Sequence, residues 1–224
     1  MVELPGISTD LFNDTPENVA TTVRLLILLT VLSLAPAFLV LMTSFTRIII
    51  VLSFVRNGLA TQQMPPNQVL VGLALFLTFF IMGPVLSDVN QEAVTPFLQG
   101  ELSQEEAMEK ASMPIKEFMA KHTRQKDLAL FMNYTGESRP EKIEDIPLTT
   151  LVPAFAISEL KTAFQMGFMI FVPFLVIDMV VASVLMAMGM MMLPPVMISL
   201  PFKILLFVLV DGWYLIVKSL LESY

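Results

Sequence analysis

The chain has 224 residues, of which 55% are hydrophobic and only 15% charged, with a formal net charge of −7. Ordinary soluble domains carry about 25% charged residues, so lipid must take over much of the role of water here. There is no cysteine, which excludes disulfide frameworks, thiolate metal sites and cysteine nucleophiles. One histidine, His122, is too few for a histidine-based metal site. The acidic balance argues against nucleic acid as a partner, because phosphate binding needs clustered Lys and Arg. No cofactor is expected.

Residues 1–22 are polar and carry Glu3, Asp10, Asp14 and Glu17. A cleavable leader would open with positive charge and an apolar run, and neither is present. Thr15 ahead of Pro16 offers a helix start. The first apolar run, 25–42, has 18 uncharged residues. At 1.5 Å per residue it measures about 27 Å, close to the bilayer core. Its helical pattern continues past Arg47 to Arg56, and Gly58 with Pro65 and Pro66 marks a break over 57–66. A second run occupies 69–87 and ends near Gly83 and Pro84.

The composition then shifts. Residues 88–150 hold 12 acidic and 7 basic side chains, which reads as a water-exposed insert. Within it, 103–132 is expected to be helical, opened by a capping box of Ser103 and Glu106. Ile115, Phe118, Met119 and His122 form one face. An insert of about 60 residues builds little core of its own, so a neighbouring copy is expected to supply burial. Residues 133–149 read as a loop. From Leu151 the chain is apolar again, interrupted by Glu159, Lys161, Asp178 and Lys203. Pro194 and Pro195 after Met190, Met191 and Met192 place a tight turn there, followed by a last helix over about 196–221.

The fold class is therefore all-α: an integral membrane protein of two kinked helical hairpins with a helical polar insert. The segments are a polar N-terminal stretch, 1–22; a first apolar hairpin, 23–88; an extracytoplasmic, mostly helical insert, 89–150; and a second apolar hairpin with a Met-rich tip, 151–224. Arg47 and Arg56 beside the first tip, with no Lys or Arg in the first 22 residues, favour cytoplasmic tips.

Charges within apolar helices are costly and are usually paired or functional. Glu159 and Lys161, two residues apart, point in different directions on a helix, so each needs a partner elsewhere. Arg124 is the candidate for Glu159. Arg124, Glu159, Lys161, Asp178 and Lys203 are accordingly expected to form structural charge pairs, between helices or subunits. Arg47, Arg56 and Lys218 are expected to snorkel to the interface. Phe118, Phe131, Phe164, Gly167 and Trp213 are expected at subunit contacts. Met179, Met186 and Met197 read as gap-filling core. Met190, Met191 and Met192 pack poorly at a turn and read instead as a soft seal facing a pore.

Two segments are specific enough to suggest a family: 153–168, PAFAISELKTAFQMGF, and 201–213, PFKILLFVLVDGW. With Thr46 and Arg47 before an aliphatic run, MPPN at 64–67 and MMMLPP at 190–195, they resemble the signatures of the FliP family and its virulence type III secretion relatives. The resemblance spans about 18–222. It implies a pore-forming core subunit of the flagellar protein-export gate that passes unfolded flagellar proteins across the cytoplasmic membrane. It further implies a non-enzymatic multi-pass protein of the basal body, a homo-oligomer with FliQ-like and FliR-like subunits and FlhB-like and FlhA-like export components. It also implies a methionine loop at the constriction. The competing readings are a virulence secretion subunit, a small-solute secondary transporter and an intramembrane enzyme. Only four apolar segments and no evident repeat speak against the transporter. His122 lies in the polar insert and no serine sits in a nucleophile motif, which speaks against the enzyme.

Overall fold

The computed structural model describes residues 16–61, 63–136, 142–190 and 192–224. It contains nine α-helices and one π-helical turn among them, and no strand. The chain divides into two compact units after Leu39.

The first unit contributes one helix. α1 (Pro16–Met42) exposes Leu26, Leu28, Leu29, Val31 and Leu32 around its whole circumference. Two hydroxyls in its apolar stretch are returned to its own backbone: Thr30 Oγ1 donates to the Leu26 carbonyl and Ser33 Oγ to that of Thr30, both at 2.7 Å. A helix apolar on every side, with its polar groups satisfied internally, suits lipid. Residues 22–42 are long and apolar enough to span a bilayer.

The second unit begins with a break. The helical pattern read as continuous through Arg47 stops at Thr43 and Ser44 and restarts as α2 (Phe45–Gly58). α2 buries Arg47, Ile48, Val51, Leu52 and Val55, a stripe at helical spacing, chiefly against the long helix α7 and then α3. α3 (Asn67–Val89) does not end at Pro84. It runs on through a π-helical turn (Asn90–Val94) into α4 (Thr95–Leu98), giving a 32-residue rod of about 48 Å.

Ser103 caps α5 (Gln104–His122) in the expected capping box with Glu106. The single helix expected over 103–132 is two, because Thr123 and Arg124 are extended before α6 (Gln125–Thr135). Gly136, at φ 73°, closes α6 in the left-handed conformation that glycine adopts without penalty. Part of the burial of the insert comes from the chain's own helices. Phe118 and Met119 share one apolar cluster with Met82 of α3 and with Leu151 and Phe155 of α7.

α7 (Leu148–Ala187) is 40 residues long, about 60 Å, or twice the bilayer core. One face of its first half is buried under α2, α5 and α6, while Leu160 and Phe164 on the other face stay exposed, and its second half exposes Val172, Val176, Val180 and Val184. α8 (Pro195–Leu209) folds back along it. The last helix is not continuous. Asp211 takes φ 51°, and α9 (Gly212–Glu222) leaves α8 at 62°. Three helices are long and apolar enough to cross a membrane, or four if α8 and α9 make one broken span.

Candidate functional site

The charges of the apolar helices are gathered at defined places. Arg47, near the start of α2, faces Glu159 of α7, 112 residues away. Arg47 Nε donates to Glu159 Oε2 at 2.9 Å, and Nη2 donates to Oε1, so the pair is bidentate. Nη1 donates to the carbonyl oxygen and to Oγ of Ser223, each at 2.9 Å. The Tyr224 hydroxyl donates to Glu159 Oε2 at 2.5 Å, and the Tyr224 ring lies 3.9 Å from Arg47 Cζ. Arg47 is 3% exposed and Glu159 is fully buried. A buried pair is tolerable only when its remaining donors and acceptors are met, and here every nitrogen of the guanidinium has a partner. Burial first, and the Glu159 charge second, push the Tyr224 hydroxyl far above its ordinary pKa, which keeps it a donor.

This arrangement corrects three expectations. Glu159 is paired with Arg47, not Arg124. Arg47 does not snorkel, because α2 lies within the core. Lys161 is exposed and is in none of the ion pairs among the described residues; its charge helps hold the Asp127 carboxyl down.

Arg124 belongs to a second cluster. Its guanidinium donates to Asp127 Oδ2 at 2.6 Å, and its backbone N–H donates to Ser158 Oγ at 3.0 Å. Ser158 Oγ in turn donates to Asp127 Oδ2 at 2.6 Å. The break between α5 and α6 frees that N–H and pins the insert to α7. Burial alone would raise the pKa of Asp127. The bonds from Ser158 and Arg124, with the charges of Arg124 and Lys161, outweigh it and hold the carboxyl below its usual value.

The third cluster joins α7 to α8. Lys203 Nζ donates to Asp178 Oδ2 at 2.7 Å, and Ser199 Oγ donates to Asp178 Oδ1. The lysine is buried, whereas the carboxylate side chain is 23% exposed. Between the two helices, Val176, Val180, Val184, Ile198 and Phe202 line an open groove with no polar wall.

The α7–α8 turn carries the methionines. Gly189 at φ 76° reverses the chain, and the Met190 N–H closes onto the Leu185 carbonyl at 2.9 Å. Met188, Met190 and Met192 are exposed, Met192 at 98%; Met191 lies outside the described residues. Of the residues expected at subunit contacts, two are consumed within the chain. Phe118 is buried against Phe155 and Tyr224. Gly167 is buried where a Cβ would stand 2.5 Å from the Phe54 ring. Phe131 is half-buried, and Phe164 and Trp213 are exposed.

The sequence reading missed Ser223 and Tyr224, since nothing local marks a tyrosine at the end of an apolar helix as a partner for residues 65 and 177 positions away. Arg47 carried a signal: a lone arginine directly before the aliphatic stretch 48–52 has no polar face to reach.

Long lipid-suited helices, internally paired charges and a core built between helices define an all-α integral membrane protein. The FliP family model matches residues 28–220. The chain is 76% identical over 209 residues to the flagellar biosynthetic protein FliP of Bacillus subtilis, covering 93% of this chain and 95% of the relative. It is 55% identical over 222 residues to that of Pectobacterium carotovorum, covering 99% and 86%. It is 49% identical over 209 residues to that of Aquifex aeolicus, covering 92% and 87%. The chain belongs to the FliP family.

Proposed function

We propose that this chain is a pore-forming core subunit of the flagellar protein-export gate in the cytoplasmic membrane, where copies of it assemble with other export subunits. The observation that carries the reading is near full-length similarity to curated flagellar biosynthetic proteins, 76% identical in one case. The role is passage rather than catalysis. The exposed face of α7 and α8 is apolar and needs covering by lipid or by other helices. Met188, Met190 and Met192 present flexible, polarizable thioethers at a hairpin tip. A ring of such side chains closes against water and ions, yet deforms around an unfolded chain of any sequence. Phe164 and Trp213 are exposed apolar surface for neighbouring subunits.

Deleting the gene in its own bacterium and assaying flagellar filament protein in the medium tests this. Export stops and returns with a plasmid copy if the reading is right. Undiminished export from the deletion strain sinks it. Native mass spectrometry of the chain co-expressed with its export partners gives the stoichiometry.

A further inference from the structure

Tyr224 contacts three helices that are remote in sequence, and it does so through separable parts. Its hydroxyl serves Glu159 of α7 at 2.5 Å. One part of the ring lies against Arg47 of α2, with Cζ 3.9 Å from its centroid. The ring also stacks on Phe118 of α5, with centroids 5.9 Å apart and planes 13° apart, and touches His122 at 4.9 Å. The backbone of the same residue accepts from Lys121 Nζ at 3.3 Å. The preceding residue, Ser223, takes both bonds from Arg47 Nη1.

One side chain is thus shared between the Arg47–Glu159 pair and the ring stack of α5. α5 is otherwise attached to α3, the π-helical turn and α7, through Phe118 and Met119 in the cluster with Met82, Leu151 and Phe155, and through the Lys116–Glu144 bond, and these attachments do not depend on α9. Among the described residues, α8 and α9 otherwise share no apolar cluster with α5: Ile216 and Leu220 pack with α2 in the first core, and Phe118 and Met119 sit in the second.

We infer that Tyr224 is a latch that couples the end of α9 to the insert: its ring holds the last turns of α5 closed over the buried Arg47–Glu159 pair, and its hydroxyl completes the acceptor set of Glu159. The ring and the hydroxyl have different dependents. The ring positions α5, because aromatic stacking and cation–π contacts survive loss of the hydroxyl. The hydroxyl serves Glu159 of α7 at 2.5 Å and, at 3.5 Å, the Ser44 carbonyl that precedes α2, and neither bond reaches α5. The last turns of α5 thus loosen locally when α9 departs, while the rest of α5 stays packed on α3 and α7 and the long helices are kept, in the manner of local opening within a stable fold. The device makes the position of α9 readable at the insert.

Hydrogen–deuterium exchange on the full-length chain, extracted from membranes in mild detergent, tests the latch. Tyr224→Leu should raise amide exchange over 113–123 at least tenfold, with α3 and α8 within twofold of the wild type. Tyr224→Phe should leave 113–123 within twofold of the wild type, because the ring remains. His122→Leu removes a second ring from the stack and touches neither charge of the pair. It should produce a local rise in the same peptide, and it gives the result if Tyr224→Leu is not recovered from membranes. Wild-type exchange over 113–123 in both leucine variants overturns the inference. So does an equal rise through α3 and α8, which would make Tyr224 an ordinary part of the global fold. A Tyr224→Phe effect as large as that of Tyr224→Leu would also overturn the ring's role.

Discussion

Arg47 and Glu159, separated by 112 residues, meet as a bidentate pair at the fully buried junction of α2 and α7. Neither charge can reach water. Removing one strands the other, at a cost of about 3–5 kcal/mol. Arg47→Ala and Glu159→Ala should each sharply reduce the amount of chain that survives mild detergent and heating. The double variant Arg47→Met with Glu159→Leu should recover most of the loss, because apolar replacement of a whole buried pair is often neutral. Thermal melts of the three variants check this; a double variant as unstable as either alanine variant refutes it.

The Asp178–Lys203 pair should behave asymmetrically. Lys203 is 2% exposed, whereas Asp178 keeps 23% of its side chain open. Asp178→Asn leaves a buried ammonium without its counter-charge. Lys203→Met leaves a carboxylate that water can still reach. The asparagine variant should therefore melt lower than the methionine variant. Equal melting temperatures would contradict the difference in burial.

Gly167 is required by contact rather than by backbone angle. A methyl there would meet Phe54 ring carbons at 2.5 Å. Phe54 cannot swing freely, since Phe164 and Phe171 pack edge-on at 5.5 and 6.5 Å. Gly167→Ala should cost about 1–3 kcal/mol through overpacking. Gly72 in α3 has nothing within 4 Å of its would-be Cβ, so Gly72→Ala should be neutral or gain up to about 1 kcal/mol from helix propensity. Paired melts of the two variants separate these outcomes.

His122 supplies a pH dependence. Burial chiefly, aided by the Arg47 charge, lowers its pKa against the opposing pull of the Phe118 carbonyl and Glu159. The folded chain therefore binds that proton less readily than the unfolded chain. Stability is full above the ordinary imidazole value of about 6.5 and falls as the pH drops below it. Melting temperature should decline between pH 7 and pH 5, and His122→Gln should flatten that part of the decline. An identical profile in the variant would remove His122 as its source.

The helical class, the spans and the capping box at Ser103 and Glu106 were legible because each is written in adjacent residues. Run length, proline spacing and a four-residue cap carry that information locally. The partner of Glu159 was not legible. Spacing sets Lys161 aside and leaves Arg124 and Arg47 open in one dimension, and only the burial of α2 beside α7 selects Arg47. The break at Asp211 escaped for a related reason. Asp reaches the left-handed region more readily than most residues, but nothing adjacent marks Asp211 for it, and the close approach of Gly212 to the Phe207 ring beside it is visible only in three dimensions. Phe118 and Gly167 were taken outward to subunit contacts although the chain's own helices use them; an apolar stripe does not say which helix covers it.

The methionine turn carries the central claim, that copies of this chain form a pore sealed at the α7–α8 tip. Replacing Met190, Met191 and Met192 together by alanine removes the flexible side chains and leaves Gly189 and Pro195 to form the turn. The direct measurement is single-channel conductance of the assembled complex in planar bilayers, wild type against the triple variant, with complex integrity confirmed on the same preparation. The account predicts a closed wild type and a persistent ion leak in the variant. A variant complex that is intact yet holds background conductance contradicts it.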